Sequence, residues 1–180
     1  MQSGVVHRCR LRILSNERHG MEMILRSRKA SEADMDLLFR WANDPAVRSN
    51  AFHTEQIPYE DHVKWFTKMM ADASVYQYIL CDGEFPVGQF RLNIEDNAAV
   101  IDYSVASAYR GQGYGSRMLR MIPMQIVQDK IPNVTELVGQ VKYGNNASAR
   151  AFESCGYAKQ ELPAYIQYTN ALSNALRYEI

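Results

Sequence analysis

The segment Arg110-Gly111-Gln112-Gly113-Tyr114-Gly115 constrains this chain more than any other. It lies between an apolar, strand-like run, Val100 to Val105, and a run from Ser116 in which Met118, Leu119, Ile122 and Ile126 recur at helical spacing. Alternating glycines strip a loop of side chains and admit backbone conformations closed to other residues. A strand, such a loop and a helix N-terminus bring several N–H groups and the positive end of a helix dipole to one point. The pattern predicts a cradle for a phosphate. A loop that is only a tight connection is the plain alternative.

Two common phosphate loops do not fit. A triphosphate loop needs Lys and then Ser or Thr after its last glycine, and here Gly115 is followed by Ser116-Arg117. The dinucleotide fingerprint needs glycine where Ser116 stands, inside a βαβ unit. What precedes this loop reads instead as an antiparallel meander: Val75 to Cys81, a hairpin signal at Asp82-Gly83, Phe85 to Asn93, then Ala98 to Val105.

The remaining pattern predicts one mixed α/β domain over residues 21–180. Met21 to Arg26 reads as a first strand. Ser31, with Asp34 three residues on, caps a helix carrying Met35, Leu38 and Ala42 that stops at Asn43-Asp44-Pro45. A second helix starts near Pro58 and presents Tyr59, Val63, Phe66 and Met70 on one face. Pro123 predicts a kink or early end in the helix after the glycine loop. Thr135 to Tyr143 reads as a strand, Asn145 to Cys155 as a short helix closed by Gly156, and Tyr165–Thr169 and Ala175–Ile180 as two further strands.

Composition excludes several classes. Lys+Arg and Asp+Glu are both 20, giving a net charge of +0, so no whole-chain basic field draws the protein to nucleic acid or a membrane surface. Cys9, Cys81 and Cys155 are far apart, and His7, His19, His53 and His62 show no ligand spacing. No disulfide framework and no metal site are expected, and a reducing cytoplasm fits. Residues 1–20 carry Arg8, Arg10, Arg12 and Arg18 against Glu17 without an apolar block. They read as an N-terminal extension ahead of Met21 or Met23, or else as a targeting or binding arm.

A second constellation follows the glycine loop. Asn145, Ser148, Phe152 and Cys155 share one helical face at steps of three and four. Taken singly, Asn145 is an N-cap and Ser148 a hydroxyl bonded back to a carbonyl. Taken together, Arg110-x-x-Gly113-x-Gly115 and Asn145-x-x-Ser148-x-x-x-Phe152-x-x-x-Gly156-Tyr157 resemble the two acetyl-CoA motifs of the GNAT N-acetyltransferase family, in the family's order and separation.

The resemblance implies a GNAT fold: a twisted, mostly antiparallel sheet of about seven strands flanked by four helices, with the fourth and fifth strands splayed and a bulge in the fourth. It implies acetyl-CoA as co-substrate and direct attack of a neutral primary amine on the thioester. The backbone N–H groups of Gln112, Gly113, Gly115 and Ser116 would hold the pyrophosphate, with Arg110, Gly111 and Tyr114 completing the loop. The Val105 N–H would face the thioester carbonyl, and Asn145 would contact the pantetheine arm. Family members often carry a tyrosine where Phe152 stands, and phenylalanine has no proton to give. Ser148, Tyr143 or water is left to protonate the thiolate. For the base, Asp102 is the first candidate, being close to Val105, followed by Glu95 and His53; a carboxylate on the outer face or paired to an arginine is the plain reading of Asp102. Dimers are common in the family, so a homodimer is also implied.

The N-terminal half resembles a subgroup acting on nucleotide-linked amino sugars, nearest to the pseudaminic acid pathway acetyltransferases. The matching residues are Trp41-x-Asn43-Asp44-x-x-Val47-Arg48 and Ile57 through His62-x-x-Trp65-Phe66. The resemblance points to Trp41, Arg48, His62 and Trp65 as acceptor-binding residues, although tryptophans at helical spacing also serve as core. Related branches acetylate polyamines or protein N-termini, and Glu55, Glu60 and Asp61 keep a polyamine open. A non-catalytic acetyl-CoA sensor is the alternative of another class.

Overall fold

The computed structural model describes residues 25–179. The first-strand expectation at 21–24 and the expected extension at 1–20 lie outside them. The elements run β1 (Leu25–Lys29), α1 (Met35–Ala42), α2 (Pro45–Asn50), α3 (Tyr59–Ala71), β2 (Val75–Asp82), β3 (Phe85–Glu95), β4 (Ala98–Val105), α4 (Tyr114–Gln128), β5 (Glu136–Val141), α5 (Asn146–Ser154), β6 (Ala158–Glu161), β7 (Ile166–Ala171) and α6 (Leu172–Ala175). The seven strands form one sheet in the order β1-β2-β3-β4-β5-β7-β6, antiparallel except for the β4–β5 pair. The expected mixed α/β architecture is present, with six helices rather than four.

The meander forms because β2 and β3 alternate side chains between the two faces of the sheet. Tyr78, Leu80, Phe90 and Leu92 belong to the main core with Met118, Leu119, Ile122 and Ile126 of α4. Ile79 of β2 packs on the other face in a smaller cluster with Leu38, Phe66 and Met69 from α1 and α3. Gly83 takes φ 58° in the β2–β3 turn, a conformation for which glycine is suited.

Several local expectations change. Asp44-Pro45 does end α1, but Asp44 Oδ1 then accepts the Ala46 and Val47 N–H groups and starts α2 with proline at its first position. Helix α4 begins at Tyr114 and runs through Pro123 without a break. Pro123 and its neighbours Met121 and Ile122 are buried, and that packing offsets the lost hydrogen bond. The expected last strand from Ala175 is a helical turn instead: Leu172 N–H donates to Thr135 O where β7 ends, and α6 and a 3₁₀ turn follow. The edge strand β6 was not foreseen, because its four residues are all exposed and polar or small. Among the described residues no helix is long and apolar enough to cross a membrane.

Sheet registry opens a wedge at the centre. β4 and β5 pair only from Ala98↔Glu136 to Ile101↔Gly139, while both strands continue. This is the expected splay. The expected bulge in β4 is not found: its register against β3 is regular, and the irregularity lies between β2 and β3 at Leu80/Cys81.

Candidate functional site

The wedge is lined by backbone. Ala106 N–H donates to Val87 O at 2.9 Å, so Ala106 and Val87 are a hydrogen-bonded antiparallel pair. The next pair, Val105 and Gly88, is therefore a non-bonded one, and Val105 N–H points away from β3. Tyr103, two residues back, has the same orientation. Since β5 has parted from β4 beyond Ile101, both N–H groups face the opening. The Val105 carbonyl accepts from Arg110 Nε at 3.1 Å.

The chain then passes through a 3₁₀ turn, Ser107–Tyr109, into the glycine loop. Gly111 and Gly113 take φ of 75° and 80°, and a Cβ at either would meet no atom within 4 Å. Backbone conformation, not crowding, is what calls for glycine there. Gly113 is the N-cap of α4, and the first i→i−4 bond runs from Arg117 N–H to Gly113 O. The Tyr114, Gly115 and Ser116 N–H groups come before it and point out of the helix end. Gly115 is a different case, since a Cβ there would stand 3.3 Å from the Tyr103 ring.

The other loop residues brace this geometry with their side chains. Arg110 Nη2 pairs with Asp44 Oδ1 at 2.7 Å and ties the loop to the α1–α2 junction. Burial opposes the Asp44 charge, but the Arg110 bond and the Val47 and Ala46 N–H groups outweigh it and hold its carboxyl below the usual range. Gln112 Nε2 donates to Ala108 O. The Tyr114 side chain is core: its hydroxyl donates to Asp82 Oδ2 at 2.6 Å, and burial with that bond pushes it up to about 12. Only the Tyr114 backbone is available at the cradle. Ser116 Oγ lies 3.2 Å from Ser154 Oγ, joining α4 to α5.

Asn145 is the N-cap of α5, its Oδ1 accepting the Ser148 N–H at 3.2 Å. Ser148 Oγ lies 3.1 Å from the Tyr103 hydroxyl. Burial pushes Tyr103 up to about 12, with the Ser148 contact working against the rise, so the phenol is protonated near pH 7. Phe152 is 2% exposed and fills the space under β5, where a Cβ at Gly139 would overlap its ring. It stacks on Tyr168 and meets Tyr103 and Tyr157 edge to face. Tyr143 is surface, its hydroxyl donating to Leu162 O at 2.7 Å.

The acceptor-side residues separate. His62 is 1% exposed, its Nε2 donates to Met35 O at 2.9 Å, and it packs among Phe39, Trp65 and Phe66, so it is a core histidine. Trp41 packs against the small helical cluster. Arg48 spends its guanidinium on the Ala42, His53 and Glu55 carbonyls and shapes the loop after α2. Trp65 alone of the four keeps an open face, at 39% exposed, with the Arg91 guanidinium carbon 5.2 Å from its ring centroid. Asp102 is exposed and pairs through Oδ2 with Arg91 at 3.1 Å, the plain reading of that carboxylate. Glu95, at the end of β3, is exposed, as is His53.

Sequence reasoning missed Tyr103 and Arg91, and it read Asp44 as a helix stop and part of the N-terminal motif without its tie to Arg110. The period-two alternation of a strand places Tyr103 on the same face as Val105 and could have found it. Arg91 needed the β3–β4 register, and Asp44 a contact 66 residues away in sequence. Among the described residues no group of three or more His, Cys, Asp or Glu is placed to hold a metal.

A family profile described as "Acetyltransferase (GNAT) domain" matches residues 24–158. No curated protein matches the chain. Solved structures do. A spermidine N-acetyltransferase from Vibrio cholerae in complex with CoA and spermine superposes with a TM-score of 0.74 at 15% identity, over 84% of this chain and 98% of that one. The aminoglycoside acetyltransferase AAC(6')-Ib with coenzyme A and kanamycin gives 0.72 at 18%, over 86% and 98%. The ribosomal alpha-N-protein acetyltransferase RimL with coenzyme A gives 0.69 at 17%, over 82% and 93%. With the family profile spanning the meander, the cradle and α5, the chain belongs to the GNAT family of N-acetyltransferases.

Proposed function

We propose that this protein moves the acetyl group of acetyl-CoA to the primary amine of a nucleotide-linked amino sugar. The observation that carries the transfer is the continuous backbone track from the Tyr103 and Val105 N–H groups to the N-terminus of α4. A track of donors ending at a helix N-terminus suits an acyl carbonyl at one end and a pyrophosphate at the other. In this reading Gln112, Gly113, Gly115 and Ser116 supply the anion-facing N–H groups, Arg110, Gly111 and Tyr114 hold their loop, and Asn145 flanks the arm between them. Bound acetyl-CoA supplies the activated acyl group; the chain supplies position and proton handling.

A protonated amine cannot attack, so its proton must leave first. Asp102 is the proposed acceptor of that proton, through water. The Ser148 and Tyr103 hydroxyls are the proposed donors toward the departing sulfur, with Tyr143 as a further candidate. Trp65 supports an acceptor that stacks on an indole.

The test is CoA release with UDP-linked 4-amino sugars, spermidine and N-terminal peptides, products identified by mass spectrometry. Acetylation of the UDP-amino sugar at the highest kcat/KM is expected. The likeness to the spermidine enzyme supports a polyamine alternative, which a spermidine-only product would establish. Phe152 supports the sensor alternative, which tight acetyl-CoA binding with no CoA release would establish.

A further inference from the structure

The sheet face that carries α3 holds a strip of polar side chains beside the open end of the wedge. Gln77 Nε2 donates to Gln89 Oε1 at 2.7 Å, and Gln89 Nε2 donates to Ser104 Oγ at 3.3 Å. Ser104 directly precedes Val105, so this chain of neutral groups starts at the reacting end. One rung away, about 7 Å along β4, Arg91 stands opposite Asp102, paired with it and lying over Trp65. The Arg91 side chain is 22% exposed and the Asp102 side chain 52%.

We propose that Arg91 is the specificity-determining residue of the acceptor site: it selects a primary amine carried on a hydroxylated or anionic body and turns polycations away. This rests on the acetyltransferase reading above. Asp102 is the acid of this strip, and Arg91 neutralises it. The acid one helical turn before Trp65, Asp61, is paired with Lys64 at 3.7 Å. A polyamine would find a cation where it needs unpaired carboxylates, and such a mismatch is how sites reject wrong partners. The guanidinium lies over the indole with the carboxylate beside it, and its remaining N–H groups form a planar fork suited to a phosphate or carboxylate. The amide and hydroxyl ladder beside it matches sugar hydroxyls, and the open Trp65 face matches a sugar or base ring.

The experiment compares wild type, Arg91→Gln, Arg91→Lys and Arg91→Gln/Asp102→Asn in CoA release with a UDP-linked 4-amino sugar and with spermidine. Acetyl-CoA Kd by calorimetry is the control for the donor side. Arg91→Gln is expected to raise the KM for the UDP-amino sugar at least tenfold, with acetyl-CoA Kd within twofold of wild type. Arg91→Lys recovers less than half of that loss, because an ammonium neither stacks nor forks. Spermidine KM falls at least fivefold in Arg91→Gln and rises back in the double variant; KM is the readout because Asp102 is also the proposed base, whose loss lowers kcat for any amine. An unchanged KM in Arg91→Gln, or a wild type that prefers spermidine, overturns the proposal alone. Acetyl-CoA binding without CoA release from any amine overturns the enzymatic reading and this proposal with it.

Discussion

The proposed donor and acceptor sides of this molecule are built from different materials. The donor side is backbone: N–H groups of β4 turned into a wedge, two glycines at positive φ, and the first turn of α4. Its side chains brace the loop from behind, Arg110 on Asp44 and Val105 O, Tyr114 on Asp82. The acceptor side is side chain, and most of its polar groups are occupied by the fold itself. His62 holds a carbonyl, Arg48 three carbonyls, and Asn43 both polar groups of Ile57. Among the described residues, the Trp65, Arg91 and Asp102 strip keeps aromatic and charged surface open to solvent. A backbone site is fixed once glycines and elements are in place, whereas a side-chain site exists only after structural demands have been met.

Four changes would break or sharpen that contrast, in descending order of effect. Phe152→Ala removes the ring that supports β5 beneath the wedge, and about 3–5 kcal/mol of stability should go with it. A urea titration reads the loss, and a smaller one would mean that the wedge does not depend on its underside. His62→Ala empties a packed position among Phe39, Trp65 and Phe66 and removes the bond to the Met35 carbonyl, at about 1–3 kcal/mol. The damage should appear as a lower denaturation midpoint; a stable protein with a raised acceptor KM would return His62 to the acceptor site. Gly113→Ala forces a side chain into a left-handed conformation at about 1–2 kcal/mol. If the cradle is backbone, weaker acetyl-CoA binding by calorimetry follows, though nothing crowds the new methyl. Equal affinity would count against a backbone cradle.

The smallest effect is at alkaline pH. Tyr103 and Tyr114 are pushed from their ordinary 10 up to about 12. Below pH 10 they are protonated in both folded and unfolded chains, and their contribution is fully present. Between 10 and 12 the unfolded chain gives up protons that the folded chain keeps, so stability falls as pH rises. Urea midpoints from pH 8 to 11.5 should decline from about 10 upward, and Tyr103→Phe should make the decline shallower while the other raised tyrosines, Tyr78, Tyr114, Tyr157 and Tyr168, sustain the rest of it. No change of slope would mean that the Tyr103 phenol is not held in its neutral form.

Much of the frame was legible in the residues. Asp82-Gly83 marked the hairpin, the apolar alternation marked β2 to β4, and Ser31 with Asp34 marked the approach to α1: Asp34 Oδ2 accepts from both Ser31 N–H and Oγ. The misses share a cause. Pro123 is tolerated in α4 because buried packing overrides a local penalty, and the strand expected after Ala175 failed because β7 had already ended at Ala171. Local signals report preferences of a few tenths to a few kcal/mol, and tertiary contacts of similar size reverse them.

By itself, then, the sequence determined the glycine loop: Gly111 and Gly113 admit conformations other residues resist, between a strand and a helix. Only the tertiary structure decided the rest. Strand register set Arg91 against Asp102 and ended β4–β5 pairing at Ile101. Packing buried His62 and left Trp65 open. A backbone conformation is a local property of a few residues, while a side chain's freedom depends on every element that closes around it.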